Sequence, residues 1–157
     1  MYKAEGVHTV LVCCTGGEEG DLQNPALREP GQPFHGLSAE EEKQRLAELR
    51  HHELARSAEI IGFDEVIMMG YRDSGMTGWE QNTDPRSFHL APVDEAAERL
   101  AAILREEEAD VLTCYDWHGN YGHPDHVQVH RVGHAAARLA GITRVWESTM
   151  NRDELRR

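Results

Sequence analysis

Residues 109–141 read ADVLTCYDWHGNYGHPDHVQVHRVGHAAARLAG, and the division of that stretch decides the fold. The apolar run from Ala109 to Cys114 reads as a strand. It runs into a loop dense in imidazoles, a carboxylate and a phenol. Pro124 then opens a helical pattern, because Pro is favoured at the first helical position, where its missing N–H has no intrahelical partner and its φ is already set. Gly141 caps the far end. Strand, polar loop and helix N-terminus follow one another, so His123 falls near the N-cap and His126 in the first turn.

Two imidazoles three residues apart, with an acid between them at a helix start, can serve a metal and a reacting group together. His126 is then a neutral-imidazole metal ligand, and His123 is left to act on substrate. Asp125 suits the positive end of the helix dipole and can hold one of the rings in a chosen tautomer. The plainer reading makes these capping and surface residues. A Tyr, an Asp and two further histidines crowd the same loop, and the full constellation favours a site.

At 157 residues the chain reads as one domain, residues 1–157, large enough for a genuine core. Asp and Glu number 28 against 16 Lys and Arg, for a net charge of −12. No basic tract interrupts that balance, and phosphate-backbone binding needs clustered Lys and Arg, so nucleic acid is not an expected partner. Cys13, Cys14 and Cys114 lie in apolar runs, and their odd number and lack of spaced pairs argue against a disulfide scaffold or a cysteine-based zinc site. A reducing, cytoplasmic setting follows. No stretch approaches the roughly 20 apolar residues of a membrane span, and residues 1–5 do not lead into a signal-type segment.

Val7 to Cys14 is apolar and β-branched with little alternation, the pattern of a strand buried on both faces. Lys3 to Gly6 before it resembles a helix end with its Gly cap, which leads us to expect a segment upstream. Thr15 to Leu37 is a long polar loop, and loops of that length inside a domain are usually functional or disordered. Its Gly16, Gly17 and Gly20 suggest a phosphate turn only loosely, since Glu18, Glu19 and Asp21 would repel phosphate. Acids beside flexible glycine better suit hydroxyl-bearing or cationic ligands, or simply solvent. Ser38 and Glu41 make a capping box for a helix running to Ile61 and stopped by Gly62. Leu46, Leu49, Leu54, Ala58 and Ile61 form its expected buried stripe, and Arg50 with Glu53 reads by default as a surface ion pair. A second strand, Glu65 to Met69, precedes another long loop, Tyr71 to Pro92. Val93 to Leu104 is an amphipathic helix. The third strand, Asp110 to Tyr115, leads to the helix Pro124 to Ala140, and Thr143 to Ser148 makes a fourth.

Strands alternating with helices imply an α/β fold, a parallel sheet with right-handed crossovers. All three strand-to-helix loops are long and rich in acids, His and Arg, and such loops lie at the carboxyl ends of parallel strands, where open α/β sheets bind ligands. Carboxylates plus imidazoles suit a catalytic zinc with an open position, which lowers the pKa of a bound water and polarises a carbonyl. The expected class is metal-assisted hydrolysis. His126, His130 and His134 recur every four residues, and the outer pair is about 12 Å apart along a helix, so these three cannot share one metal. His130 and His134 read as structural or surface residues. No nucleophile elbow is present, and the cysteines sit in strands, which disfavours covalent catalysis.

Four segments together resemble the LmbE-like, or PIG-L, family of zinc-dependent N-deacetylases: Thr15 to Asp21 (TGGEEGD), Arg50 to Leu54 (RHHEL), Tyr71 to Met76 (YRDSGM) and, most specifically, Tyr115 to His126 (YDWHGNYGHPDH). The resemblance implies an LmbE-like Rossmann-type three-layer fold with a mainly parallel sheet. It also implies Zn2+ as cofactor and removal of an N-acetyl or related acyl group from a glucosamine-containing small molecule, such as a GlcNAc-inositol or mycothiol-type conjugate. By position, His126 matches the family's zinc-binding histidine. His123 matches the histidine that stabilises the oxyanion or protonates the leaving amine, Asp125 the acid that tunes it, and Tyr121 the tyrosine that assists at the intermediate. Asp21, Arg50 and Asp73 match sugar-contacting positions, which overturns the ion-pair default for Arg50.

The family also carries His-Pro-Asp-Asp-Glu after its first strand, supplying a zinc histidine, a zinc aspartate and the general base. No such stretch occurs here; the only His-Pro-Asp is followed by His126. We therefore expect a family member whose first strand is missing, truncated at the N-terminus and at the C-terminal tail, and impaired as a single chain. The alternative is a catalytically inactive pseudoenzyme or sugar-binding module of the same fold. Oligomeric state stays open, a homo-oligomer included, and a neighbouring subunit could complete the site.

Overall fold

The structure, a computed structural model, describes residues 2–151 and 154. The chain divides into two compact units, Met1–Asp73 and Ser74–Arg157. In each, a parallel pair of strands is joined through a helix, the crossover that parallel pairing requires. This is the α/β class expected from the alternation of elements.

In the first unit a 3-10 turn at Tyr2–Glu5 ends at Gly6, whose φ is +75°. Strand β1 (Val10–Thr15) pairs in parallel with β2 (Glu65–Tyr71), in register from Val10 opposite Glu65 to Cys13 opposite Met68. Thr15 then pairs with Tyr71, so β2 carries one extra residue. Gly70, at φ +73°, supplies the positive φ that such a bulge uses. The bulge re-aims the chain just before Arg72 and Asp73. β1 is half-buried along its length, less enclosed than its uninterrupted apolar run predicts.

Helix α1 (Ala39–Ile61) begins with the expected capping box: the Glu41 N–H donates to the Ser38 hydroxyl at 3.4 Å, and the Ser38 N–H donates to the Glu41 carboxylate at 2.8 Å. Gly62, at φ +93°, ends it by donating its N–H to the Ala58 carbonyl. Leu46 and Ala58 are buried, as the stripe predicts, but Ile61 is 66 % exposed. It is the last helical residue, and the chain turns away at Gly62 before anything can cover it. The cap yields a first prediction. Ser38→Ala is expected to lower stability by about 1 kcal/mol, read from urea unfolding followed by circular dichroism. The Ser38 hydroxyl and N–H hold the Glu41 carboxyl below its ordinary value of 4.5. Its contribution is therefore complete above that value and fades as pH falls through the lowered one, so the Ser38→Ala penalty should shrink in acid.

In the second unit β3 (Val111–Tyr115) pairs in parallel with β4 (Arg144–Ser148), in unbroken register from Val111 opposite Arg144 to Tyr115 opposite Ser148. Between them lie a one-turn segment, α3 (Gly119–Gly122), and the long helix α4 (Pro124–Ala140). Helix α2 (Val93–Glu106) packs along α4. Ala96, Ala97, Leu100, Ala101 and Leu104 of α2 and Val132, Ala135, Ala136 and Ala137 of α4 are all buried, and the many alanines let helix backbones approach closely. Phe88, fully buried in a short turn against α4, extends this core. Gly133 lets α4 settle on β3, since a methyl group there would stand 3.3 Å from the Cys114 Cβ. Among the described residues, no helix is long and apolar enough to cross a membrane.

Candidate active site

Tyr115 is the last residue of β3, and the chain after it is fastened by Asp116. This buried carboxylate accepts from the His118 N–H at 3.2 Å and the Asn120 N–H at 3.0 Å through one oxygen. Through the other it accepts from the Thr149 hydroxyl at 2.8 Å. Asp116 therefore fixes the loop and ties it to the segment after β4. These bonds hold Asn120 at φ +63°, ψ −91°, a region close to the strained γ-turn that non-glycine residues rarely occupy. Gly119, at φ +62°, lies against the start of α4: a methyl group there would come within 2.6 Å of the Val127 nitrogen and 2.8 Å of the His126 Cβ. Only glycine permits that approach.

The result is a cluster of rings at the N-terminus of α4. His126, half-buried, lies flat against Tyr115 with centroids 4.0 Å apart and planes 10° apart. His123 stands 4.9 Å away, centroid to centroid. Tyr121, 61 % exposed, turns its ring edge-on to His126 at 5.1 Å and to His123 at 6.1 Å. His123 is the N-cap itself: its Nδ1 accepts the Asp125 N–H at 3.1 Å. An accepting Nδ1 puts the ring proton on Nε2, so the cap selects a neutral tautomer whose Nε2–H is a donor.

Asp125 is buried in the first turn of the helix. Its carboxylate accepts from the Ser74 N–H at 3.0 Å and, in a short contact, from the Ser74 hydroxyl. A carboxylate oxygen also lies within 4.8 Å of a His123 ring nitrogen. Ser74, fully buried, is itself held: its hydroxyl accepts the His89 N–H at 3.1 Å, and its carbonyl accepts from the Asn82 amide at 2.6 Å. Ser74, held by Asn82 and His89, thus fixes Asp125, and the sequence pattern singles out none of these three. Their signal in the sequence is slight, a Ser, an Asn and a His scattered through one long loop.

The first unit holds the other three expected residues. Asp73 is buried; its N–H donates to a Glu18 carboxylate oxygen at 2.9 Å, and its own carboxylate accepts the Glu19 N–H at 3.4 Å. Glu19, buried, is gripped by Lys43 at 2.9 Å and Arg72 at 2.8 Å. The acids of the Gly16 to Asp21 loop therefore do not all face solvent: two of them fasten the loop to the end of β2. Arg50 lies over Gly20, whose missing side chain leaves room for the guanidinium. Asp21 is exposed.

His126 offers one imidazole, oriented by stacking on Tyr115 at the start of a rigid helix. It could supply one of the several protein ligands that a zinc ion takes, and among the described residues no cluster of three ligand-type side chains includes it. Asp116, the other carboxylate of this loop, is committed to Thr149 and two backbone donors.

The family model described as PIG-L, GlcNAc-PI de-N-acetylase, matches residues 1–137. The chain belongs to this family. Among its PIG-L relatives, the 1D-myo-inositol 2-acetamido-2-deoxy-alpha-D-glucopyranoside deacetylase 1 of Catenulispora acidiphila is 46% identical over 143 residues, covering 88% of this chain and 42% of that protein. A 1D-myo-inositol 2-acetamido-2-deoxy-alpha-D-glucopyranoside deacetylase from Streptomyces griseus matches to the same extent, 46% over 143 residues with the same coverage. The chain thus spans less than half the length of these curated relatives. Two solved structures share the fold. N,N'-diacetylchitobiose deacetylase from Pyrococcus horikoshii aligns with a TM-score of 0.59 at 24% identity, over 88% of this chain and 41% of its own. The conserved protein TT1542 from Thermus thermophilus aligns with a TM-score of 0.60 at 23% identity, over 96% of this chain and 56% of its own. The PIG-L fold expected from the motifs is the fold observed.

Proposed function

We propose that this PIG-L chain serves the metal-dependent hydrolysis of an N-acetyl group on a glucosamine conjugate, with a GlcNAc-inositol of the kind named for its relatives as the first substrate to test. The observation that carries the reading is the His123 cap, an imidazole whose Nδ1 accepts and whose Nε2 therefore bears the proton, beside a second imidazole stacked on Tyr115. His126 would hold the metal, with Zn2+ the choice that suits an imidazole and an open position. A divalent ion there would polarise the amide carbonyl and acidify a bound water.

The chain's own groups do the rest. Hydrolysis adds water to the acyl carbon, breaks the C–N bond and leaves acetate and a free amine that must gain a proton. His123 donates its Nε2–H to the oxygen that becomes negative or to the departing nitrogen. Asp125 positions His123 through its backbone N–H, and Ser74 fixes Asp125. Tyr121, exposed and edge-on to both rings, is the group that meets substrate from the open side. Asp21, Arg50 and Asp73 are assigned to the sugar hydroxyls by their match to the family's positions. The odd number and unspaced placement of Cys13, Cys14 and Cys114 are the ground for proposing a reducing, cytoplasmic setting.

The chain contains no His-Pro-Asp-Asp-Glu stretch, so none of its carboxylates is assigned as general base. A general base contributes about 10²–10⁴-fold, and the chain is expected to be slower by that order than family members that carry the stretch. The test is release of free amine from the GlcNAc-inositol by the zinc-supplemented chain over long incubation. Slow release that disappears in His126→Ala and His123→Ala supports the reading. Saturable binding without any release would favour a sugar-binding module, and neither binding nor release would refute both.

A further inference from the structure

One turn beyond His126 a second constellation gathers on three elements of the Ser74–Arg157 unit. Cys114 of β3 and Glu147 of β4 are partners in the parallel register. Helix α4 rests over them at Gly133, which brings His130 and His134, four residues apart, to the same place. One ligating atom each from Cys114, His130 and His134 lies within 4.8 Å of the others. The Glu147 carboxylate oxygen stands 2.7 Å from the His134 Nε2 and 3.2 Å from the His130 Nδ1. The two imidazole rings are 4.5 Å apart, centroid to centroid. Cys114 is buried, the imidazoles are half-buried and Glu147 is exposed, so the group is open to solvent at the carboxylate.

We propose that Cys114, His130, His134 and Glu147 form a second metal site, for one divalent ion of the zinc class, distinct from the ring cluster at His126.

Four considerations carry this. The donor set is one sulfur, two imidazole nitrogens and one carboxylate oxygen, which is the ligand chemistry of tetrahedral zinc. Zinc bonds of about 2.0 to 2.3 Å separate neighbouring tetrahedral ligands by about 3.3 to 3.7 Å, so the Cys114, His130 and His134 atoms, within 4.8 Å of one another, would draw together by about 1 Å, and the Glu147 oxygen, 2.7 Å from the His134 Nε2, would move slightly outward. The charges balance: a thiolate and a carboxylate neutralise a divalent ion, and a half-buried site takes it up without a net buried charge. The ligands come from two paired strands and the helix packed on them, so the site exists without any loop having to fold around the ion. On binding, the Cys114 thiol gives its proton to solvent and the sulfur becomes the ligand. Without an ion, Glu147 pairs with both imidazoles. The ion's role is then a clasp joining β3, β4 and α4 behind the active-site loop.

Cobalt(II) titration of the reduced full chain tests the proposal, because only a thiolate ligand gives an intense near-ultraviolet charge-transfer band and only a tetrahedral site gives strong visible bands. The ring cluster at His126 contains no cysteine, so the band reports the second site alone. Both features should saturate at one equivalent and be displaced by zinc. They should persist in His126→Ala and vanish in Cys114→Ser. His134→Ala should weaken cobalt binding by at least about tenfold, since loss of even an outer-shell partner costs about 10–100-fold. The isosteric Cys114→Ser protein should retain its far-ultraviolet circular dichroism, which separates loss of a ligand from loss of the fold. Absence of the band, its survival in Cys114→Ser, its insensitivity to His134→Ala or its loss in His126→Ala would each overturn the proposal.

Discussion

Asp125→Ala is expected to be among the most damaging single substitutions in the chain, lowering stability by about 3–5 kcal/mol. The carboxylate is buried and accepts both the N–H and the hydroxyl of Ser74, which is itself fully buried. Truncation strands two buried donors, each costing about 1–3 kcal/mol, and removes a negative charge from the first turn of α4, where the helix dipole favours it. Asp125→Asn keeps one acceptor and should cost clearly less. All three tryptophans, Trp79, Trp117 and Trp146, lie in the Ser74–Arg157 unit. Urea unfolding followed by tryptophan fluorescence therefore reads the unit that Asp125 stabilises. Equal midpoints for Asp125→Ala and the wild type would show that Ser74 finds other acceptors. Asp125→Ala, which unfastens from Ser74 the helical turn that carries the His123 cap, should also lose amine release while the substrate still binds, and Asp125→Asn, which keeps the capping N–H, should lose much less.

Gly119→Ala comes second, with an expected loss of about 3 kcal/mol and a larger relative loss of function. Its φ of +62° costs an L side chain about 1–2 kcal/mol. Beyond that, the added methyl group meets the backbone nitrogen of Val127 at 2.6 Å, and backbone atoms cannot move aside as a flexible side chain does. The first turn of α4 must shift, carrying His126 away from Tyr115. The expected signature is a protein that still folds, with its transition at lower urea, and with zinc binding at His126 weakened more than the stability loss alone explains. Unchanged binding would mean that the loop, not the helix, yields.

How much of this was legible in the sequence depends on the distance over which each feature is decided. Local grammar was sufficient for α1, whose Ser38 and Glu41 cap and Gly62 stop sit where expected. It was sufficient for α4 too, bounded by Pro124 and Gly141. The ring cluster was equally readable, because Tyr121, His123 and His126 lie within six residues on one loop and one helical turn. Ser74 was not, since its bond to Asp125 spans 51 residues and no local pattern announces it. The structural role of Asp116 was hidden for the same reason; its partner Thr149 lies 33 residues away. The helical rise correctly separates His126 from His134. It says nothing about Cys114 and Glu147, which reach His130 and His134 only through the register of β3 with β4. Glu18 and Glu19 read as solvated loop acids because their partners Asp73, Lys43 and Arg72 are likewise remote in sequence.

The proposed hydrolysis depends above all on His126 as a metal ligand of the ring cluster. The most direct test is to record the imidazole nitrogen resonances of a chain carrying both Cys114→Ser and His134→Ala during a zinc titration, the two substitutions having removed the thiolate and one imidazole from the other site. A His126 ring nitrogen should move ahead of the exposed His52, with His123 following as the neighbouring ring. A titration in which His52 responds while His126 stays unchanged would contradict that assignment.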